Sequence, residues 1–386
     1  MQEKSTALPR TFDEYNEARK QSFLKVKEYK EQGGKLVGFL CSYAPLEIVD
    51  AAGAAAVGLC GTSNETVPTA EEVLPSNLCP LVKSTYGFAR SQKCPFTHFS
   101  DLIVGETTCD GKKKMYELLG EMKPVYVLSL PHTRDRAWAA DAWYQEVKRF
   151  KEELERRFGT TVTDEDLRAA VRRRNRLRRA LTRLFELQKS VPPAMSGVEL
   201  MSVLQAANFS FDIEEYAANL ERLADEREGQ LRVDEGSISP DAKRILVTGC
   251  PTGGVINKIG KTIKEHGGVV VCTDDCSGER TQRMEVDPAA PDILRAIADR
   301  YLQINCSVMT PNDGRMENTL SQVRAYRADG VVESILTACH TFNVEGVLMQ
   351  RAVEGAGIPY LKIETDYAQA DMGQVQTRLE AFLEML

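Results

Sequence analysis

The chain of 386 residues has the composition of an ordinary globular protein, with 42% apolar and 27% charged residues. Its net charge of −7 argues against nucleic acid or an anionic membrane as the main partner, because both attract basic surfaces. The first 30 residues contain no apolar signal segment and no run approaches 18 apolar residues, so we expect a cytoplasmic protein.

Short apolar segments alternate with helical segments through the first third of the chain. A leading amphipathic helix is predicted over residues 11–33, where two glycines end it. Strands are then predicted at 35–40, 56–59, 101–105 and 125–130, with helices at 46–55, 80–90 and 112–120 between them. This alternation predicts a parallel, doubly wound sheet, so we assign residues 1–133 to an N-terminal α/β domain.

Charged helical segments dominate residues 134–241, which we interpret as a helical connector. They include a capping-box start, TDEDLR, ahead of an arginine-rich stretch at 168–183. The interleaved Glu, Asp and Leu residues predict an exposed helix face there, with docking of a protein partner as the alternative. The lysines of GKKKM (111–115) likewise predict a solvated face or a surface that steers an acidic electron donor. Residues 229–241 are predicted to form a boundary loop.

A second alternating unit occupies residues 242–386, the C-terminal domain. Strands are predicted at 244–249, 267–271, 304–308, 330–338 and 358–364, and an amphipathic helix at 373–386 closes the chain. The fold class is therefore α/β, with two flavodoxin- or Rossmann-like doubly wound sheets joined by a helical segment. We expect a cleft between the two domains.

Ten cysteines need an explanation, because a chain of this length in a reducing compartment does not rely on disulfides. Parallel sheets bind ligands beyond the carboxyl ends of their strands. The cysteines predicted at or near that edge of the two sheets are Cys41, Cys79, Cys109, Cys250, Cys306 and Cys339. Cys94 is predicted at the opposite edge, and Cys60 and Cys272 are interpreted as core thiols. Cys276 lies just past a strand and is an alternative to Cys250.

The pattern of cysteines favours an iron–sulfur cluster. Thiolates without nearby histidines select iron–sulfur clusters or zinc, and the absence of a C-x2-C pair disfavours a zinc ribbon. Widely spaced cysteines from two domains suit a large cluster at their interface. His340, beside Cys339, is a candidate for proton delivery or a plain hydrogen-bonded histidine.

The loop CPTGG (250–254) offers the N–H groups of Gly253 and Gly254 to cluster sulfides, or forms a tight strand–helix turn. It lacks the lysine of a Walker A loop and does not fit G-x-G-x-x-G. We therefore do not expect this chain to bind ATP itself.

Six segments carry a family resemblance. They are APLEIVDAAG (44–53), NLCPLVKSTYGF (77–88), DLIVGETTCDGKKKMYELL (101–119), RILVTGCPTGG (244–254), ILTACHTFNVE (335–345) and IETDYAQADMGQVQTRLEAFLEML (363–386). Together they resemble the 2-hydroxyacyl-CoA dehydratase and benzoyl-CoA reductase superfamily over nearly the whole chain. The branch they resemble most is that of the double-cubane cluster proteins.

The resemblance implies a set of cluster ligands. In the dehydratases one cubane is held by three cysteines, whose motifs fall here on Cys79, Cys109 and Cys339. The double-cubane branch joins two cubanes through a shared sulfide and needs three further thiolates. Position at the sheet edge, not a matched motif, selects Cys41, Cys306 and Cys250 for them.

The resemblance also implies a function. It predicts an anaerobic iron–sulfur reductase component with an 8Fe-9S double-cubane cluster, a homodimer that reduces small molecules with low-potential electrons. A separate dimeric 4Fe-4S ATPase would supply those electrons. Three alternatives stay open: a 2-hydroxyacyl-CoA dehydratase subunit with a single 4Fe-4S cluster, an electron carrier without a substrate of its own, and an enzyme with a nucleophilic cysteine.

Overall fold

The computed structural model describes residues 12–232 and 238–386. Its first part alternates strands and helices as the sequence predicts. The elements are α1 (Phe12–Glu31), β1 (Lys35–Phe39), α2 (Leu46–Ala51), β2 (Ala54–Gly58), α3 (Val67–Glu71), α4 (Pro80–Arg90), α5 (Pro95–Phe99), β3 (Leu102–Glu106), α6 (Asp110–Gly120) and β4 (Val125–Leu128). The predicted helix over 80–90 is confirmed, and the helix predicted to begin at residue 112 begins at Asp110.

The first sheet is parallel, with strand order β2-β1-β3-β4. Val37 of β1 pairs with Ala56 on one side and with Leu102 on the other. Because the chain leaves β1 in one direction to β2 and then crosses back to β3, the sheet is doubly wound and its order reverses between β1 and β3. Ligands of such sheets bind at the carboxyl end of that reversal.

Four helices follow, namely α7 (Ala137–Phe158), α8 (Asp164–Leu187), α9 (Gly197–Ala206) and α10 (Ile213–Arg232). The predicted capping box starts α8, since Thr163 and Asp166 each accept the other's backbone N–H. The predicted boundary loop is shorter than expected at its start, because α10 continues to Arg232; residues 233–237 lie outside the described residues.

The last part repeats the architecture of the first. Its elements are β5 (Lys243–Gly249), a π-helical turn (Asn257–Lys261), α11 (Thr262–Glu265), β6 (Gly268–Asp274), α12 (Glu279–Gln282), α13 (Ile293–Leu302), α14 (Asp313–Tyr326), β7 (Gly330–Leu336), α15 (His340–Gly355), β8 (Tyr360–Thr365) and α16 (Met372–Met385). The strand order β6-β5-β7-β8 matches that of the first sheet. The α/β fold with two doubly wound parallel sheets is confirmed. Within residues 12–232 and 238–386, no helix combines the length and apolar character needed to cross a bilayer.

The strand predicted at 304–308 is wrong. Residues 303–309 form a turn between α13 and α14, so Cys306 lies in a loop. In the sheet β7 pairs directly with β5 and β8, which leaves no strand position for this segment. The loop is held instead by side chains, because the Tyr43 hydroxyl donates to the carbonyl of Ile304 (2.9 Å) and the Asn312 amide to that of Cys306 (3.0 Å).

The exposed helix face predicted for residues 168–183 is wrong at two arginines. Arg174 and Arg178 of α8 are buried and form ion pairs with Asp50 and Glu47 of α2. The charges on one side of α8 thus face α2, where burial is tolerated because each guanidinium has a carboxylate partner. Helix α8 therefore packs against α2 of the first part of the chain.

Candidate functional site

Cysteines follow the carboxyl ends of strands in both sheets. Cys41 comes two residues after β1, Cys250 directly after β5, Cys276 two residues after β6 and Cys339 three residues after β7. The structure gathers the thiols near these ends into two groups of three.

The Cys339 group consists of Cys79, Cys250 and Cys339. Hydrogen bonds from the thiols of Cys250 and Cys79 lower the pKa of Cys339, to about 3. The same contact raises the pKa of Cys79, with burial adding to it. For Cys250, burial is the larger cause of a raised pKa and the contact with Cys339 the second. The Cys339 thiol thus lies next to those of Cys250 and Cys79, although Cys79 comes from the first half of the chain.

Backbone geometry directs the sulfurs of this group. Gly249 has φ +117°, and a Cβ there would lie 2.2 Å from the carbonyl oxygen of Ser334, so only glycine fits. The turn lets the Leu336 N–H donate to the Cys250 sulfur at 3.3 Å. Ala338, directly before Cys339, has φ +59°, a left-handed conformation that is strained for alanine.

Helix N-termini hold three of the cysteines predicted as ligands. Cys79, Cys109 and Cys339 are the N-cap residues of α4, α6 and α15. Backbone N–H groups of Leu81 and Val82 face the Cys79 sulfur, and they act to lower its pKa. Because a helix N-terminus carries partial positive charge, this position favours the thiolate form.

Cys109 stands apart from the Cys339 group. Its side chain is partly exposed, and within the part of the chain that the structure describes its thiol makes no hydrogen bond. The start of α6 nevertheless lies against the start of α4, because a Cβ at Gly111 would be 2.8 Å from the Cδ1 atom of Leu78, the residue before Cys79. Two of the cysteine caps therefore belong to neighbouring helix starts.

The Cys276 group consists of Cys41, Cys276 and Cys306. Burial raises the pKa of all three thiols, that of Cys276 to about 12, and the neighbouring thiols add to the effect on Cys41 and Cys276. The Arg280 guanidinium acts in the opposite direction on Cys276 and Cys306, and the Lys112 ammonium does so on Cys41. This group thus brings together one thiol of the first half and two of the second.

Asp275 fixes the loop that carries Cys276. Its carboxylate accepts the backbone N–H groups of Thr252 (2.9 Å), Ser277 (2.9 Å) and Gly278 (2.8 Å). A buried carboxylate with several N–H donors is satisfied without a cation. The loop after β6 is therefore rigid where the sulfur projects from it.

Lys112 and Glu106 are buried ionisable residues near Cys41 of the Cys276 group. The Lys112 ammonium is buried and donates to the Leu40 carbonyl at 2.7 Å, whereas Lys113 and Lys114 are exposed; a fully solvated face for GKKKM was therefore wrong at Lys112. Glu106 is fully buried, and neither of its oxygens has a hydrogen-bond partner of normal geometry among the described residues. Burial raises the pKa of this carboxyl to about 7, against the effect of Lys112.

A cavity of about 120 Å³ adjoins the Cys276 group. Sulfur atoms line one part of its wall, polar or cationic groups another part, and apolar side chains such as Phe39 and Leu177 the rest. Its lining includes Cys41, Cys60, Cys276, Gln205, Asn208 and Arg300. The cavity offers space for a small molecule beside three cysteines.

The remaining sequence candidates have other surroundings. Cys94 is buried at the start of α5, Cys272 is buried inside β6, and the Cys60 thiol donates to the Leu40 carbonyl at 3.3 Å. His340 is exposed at the first position of α15. Sequence analysis did not single out the buried pair Lys112 and Glu106, because nothing in a local pattern distinguishes them from surface charges.

The donor set fits an iron–sulfur cluster. In residues 12–232 and 238–386 no three His, Cys, Asp or Glu side chains are arranged to bind one metal ion. A cubane makes a different demand, since each thiolate binds a different iron and the sulfurs need not converge on one point. Two groups of three thiols, with N–H groups and cations around them, supply soft ligands and charge compensation.

Comparison with known proteins identifies the family. Residues 41–386 match the model of the family described as 2-hydroxyglutaryl-CoA dehydratase, D-component. The chain belongs to this family. The match includes the second sheet, the first sheet apart from β1, and every cysteine of the Cys339 and Cys276 groups. The resemblance inferred from the six segments is confirmed at the level of the superfamily.

Relatives of the dehydratase D-component family align over almost the full chain. The protein named "Putative dehydratase subunit YjiM" of Escherichia coli (strain K12) is 45% identical over 382 residues, 99% of each chain. The beta subunit of (R)-2-hydroxyglutaryl-CoA dehydratase from Acidaminococcus fermentans is 24% identical, with 98% of this chain and all of the relative covered. One of the benzoyl-CoA reductase subunits of Thauera aromatica is 23% identical, with 92% and 91% covered. Dehydratase and reductase subunits are thus both similar to this chain in sequence.

Proposed function

We propose that this chain is the iron–sulfur component of a reductase, with an 8Fe-9S double-cubane cluster in the cleft between its two sheets. The observation that carries the proposal is the presence of two groups of thiols, one around Cys339 and one of Cys41, Cys276 and Cys306, each drawn from both halves of the chain. Three thiolates would suffice for a single cubane. Together with Cys109, whose helix start lies against that of Cys79, the two groups supply the six thiolates that two cubanes need.

We assign the first cubane to Cys79, Cys109 and Cys339. The family resemblance selects these residues, and their common position as helix N-caps supports the choice because free N–H groups there stabilise thiolates. The second cubane is assigned to Cys41, Cys276 and Cys306. Here the contacts favour Cys276 over Cys250, which lies instead against Cys339.

The bound cluster would supply electrons of low potential, because several thiolates and sulfides in a dry site favour the oxidised form. The chain's own residues set its surroundings. Arg280 and Lys112 offset part of the negative charge, and backbone N–H groups of Leu81, Val82 and Leu336 point at sulfur atoms. The thiols of both groups are at least partly buried, which limits their contact with bulk water.

The size of the cavity favours a small substrate. A cavity of about 150 Å³ accommodates benzene, so the cavity of about 120 Å³ beside Cys276 suits a molecule of a few heavy atoms. A coenzyme A thioester is far larger. The cavity therefore supports reduction of small unsaturated molecules over a dehydratase reaction, the second candidate, which the names of the relatives favour.

Partners are part of the proposal. Relatives are subunits of larger assemblies, including beta subunits of dehydratases and two different subunits of benzoyl-CoA reductase. We propose that this chain forms a homodimer and receives electrons from a separate dimeric 4Fe-4S ATPase. Its own CPTGG loop lacks the pattern of a nucleotide site.

Iron and acid-labile sulfide analysis of anaerobically purified protein tests the proposal. About eight irons per chain support the double cubane, about four support a dehydratase subunit with one cubane, and iron-free protein rejects both. Turnover assays with the reduced protein and its ATPase then separate a reductase from an electron carrier, which would consume no small molecule. Cysteine-to-serine variants that lose activity but keep all their iron would indicate a nucleophilic cysteine.

A further inference from the structure

Tyr367 carries a buried hydroxyl without a partner. The residue is 4% exposed, and its hydroxyl oxygen has no hydrogen-bond partner within residues 12–232 and 238–386. Other buried tyrosines of the chain behave differently: the hydroxyl of Tyr43 donates to the carbonyl of Ile304 and that of Tyr216 to the carbonyl of Val203. Leaving a buried hydroxyl unpaired costs free energy, so its retention calls for an acceptor that the chain alone does not provide.

The surroundings of Tyr367 contain sulfur. Its ring belongs to the same apolar core as Cys250, and Cys60, Cys79 and Cys339 pack against that core. Burial raises the pKa of the hydroxyl well above its usual range, and the thiols that raise it further are the same four. The hydroxyl thus lies beside the Cys339 group.

Gly254 keeps the ring in this position. A Cβ on Gly254 would lie 2.4 Å from the Cε1 atom of Tyr367 and 2.6 Å from the carbonyl oxygen of Thr62. The chain therefore has a glycine where the ring needs the space, between the CPTGG loop and the loop after β2. This close approach also accounts for Gly254, which the sequence suggested as a donor to the cluster.

We propose that the Tyr367 hydroxyl donates a hydrogen bond to a sulfur atom of the cluster bound by the Cys339 group. The inference rests on the proposed function, because the acceptor is a sulfide or thiolate of that cluster. A hydrogen bond to sulfur strengthens as the cluster gains an electron, so it raises the reduction potential. Tyr367 would thereby make a low-potential cluster easier to reduce.

The substitution Tyr367→Phe tests this role in the cluster-loaded full chain. It removes the hydroxyl and keeps the ring that fills the core. We expect unchanged iron and sulfide content and a tenfold smaller equilibrium constant for one-electron reduction, which lowers the midpoint potential by about 59 mV. The wild-type reduced cluster should also show an exchangeable proton coupling by pulsed EPR in H2O against D2O that the variant lacks. Tyr216→Phe is the matched control, since its hydroxyl bonds to a backbone carbonyl and should leave the potential unchanged.

Thermal unfolding of metal-free protein gives a second, independent measurement. Tyr367→Phe should raise the melting temperature of the metal-free chain, because it removes an unpartnered hydroxyl, and lower that of the cluster-loaded chain. Tyr216→Phe should lower both. The sign change is specific to a hydroxyl whose partner is the cluster.

The outcomes separate the inference from the function on which it rests. Cluster-loaded protein whose midpoint potential and proton coupling are the same with and without the hydroxyl overturns the role of Tyr367 alone. Wild-type protein that never holds iron overturns the proposed function, and the role of Tyr367 with it.

Discussion

The two thiol groups each join cysteines from both halves of the chain, yet they stabilise sulfur in different ways. In the Cys339 group the charge-compensating groups belong to the backbone, with Cys79 and Cys339 at helix N-caps and the Leu336 N–H on Cys250. In the Cys276 group they are side chains, Arg280 and Lys112. One fold thus offers both fixed dipoles and ionised groups to a thiolate.

The difference has a consequence for how each group tolerates substitution. Backbone N–H groups remain when a side chain is replaced, so the Cys339 group should depend mainly on its own sulfurs. Removing one partner of a buried ion pair leaves the other charge uncompensated. The Cys276 group should therefore also depend on Arg280 and Lys112, which bind no metal. The Cys339 group should thus respond mainly to loss of its sulfurs, and the Cys276 group also to loss of the side-chain charges around it.

The largest effect is expected for Cys339→Ser. Serine is a good N-cap, so α15 should form normally while a thiolate is lost. We expect loss of about half of the iron or more, with unchanged circular dichroism. Cys94→Ser is the matched control, because Cys94 also caps a helix and is buried but belongs to neither thiol group. Equal iron loss in the two variants would contradict the assignment.

The next effect separates two candidates for the sixth ligand. Cys276→Ser should remove about half of the iron and leave one cubane on Cys79, Cys109 and Cys339, whereas Cys250→Ser should keep nearly all of it. The measurement is iron per chain in anaerobic preparations of both variants. The reverse order would move the sixth ligand to Cys250, as the position at the sheet edge first suggested.

Most of the fold could be predicted from the sequence, because strands and helices follow from local patterns of apolar residues. Alternation of short apolar runs with amphipathic segments predicted each strand of the two sheets and the doubly wound class. The one surplus strand, at residues 304–308, shows the limit of this signal: an apolar run such as INCSV is also what a buried loop requires when distant side chains such as Tyr43 satisfy its backbone.

The sequence anticipates the site less completely because the site depends on contacts between distant residues. The sequence predicts Cys276 just past a strand, as an alternative to Cys250, but does not decide between them; in the structure β6 continues to Asp274 and ends two residues before this cysteine. Arg174 and Arg178 were predicted to be exposed since their partners, Asp50 and Glu47, lie more than a hundred residues away. The periodicity of apolar residues and the spacing of motifs along the chain give no information about such distant partners.

A smaller effect, on stability, is expected for Arg280→Met. Arg280 is buried and pairs with Asp274, so its removal leaves an uncompensated carboxylate beside Cys276. We expect the free energy of unfolding to fall by about 3–5 kcal/mol. Arg295→Met, which breaks the exposed pairs with Asp141 and Asp299, should cost at most about 1 kcal/mol. Denaturant titration of metal-free protein measures both. Similar losses would mean that Arg280 is not needed for the Cys276 group.

The smallest expected effect concerns Glu106, the buried carboxyl near the Cys276 group. Its pKa of about 7 in the folded chain exceeds the ordinary value of 4.5, so the folded state binds the proton more tightly than the unfolded state does. Stability from this group is therefore fully present below about pH 4.5 and is lost as the pH rises to 7. The shift corresponds to about 3 kcal/mol.

Glu106→Gln should remove this loss of stability. In denaturant titrations of metal-free protein, the difference in free energy of unfolding between the variant and the wild type should be greater at pH 8 than at pH 4.5 by about 3 kcal/mol, in favour of the variant. Glu117→Gln, on the exposed side of α6, is the control that should leave the pH dependence unchanged. If the Glu106 variant keeps the wild-type pH dependence, the Glu106 carboxyl is charged in the folded chain. Glu106 would then be a third ionised side chain near the Cys276 group, besides Arg280 and Lys112.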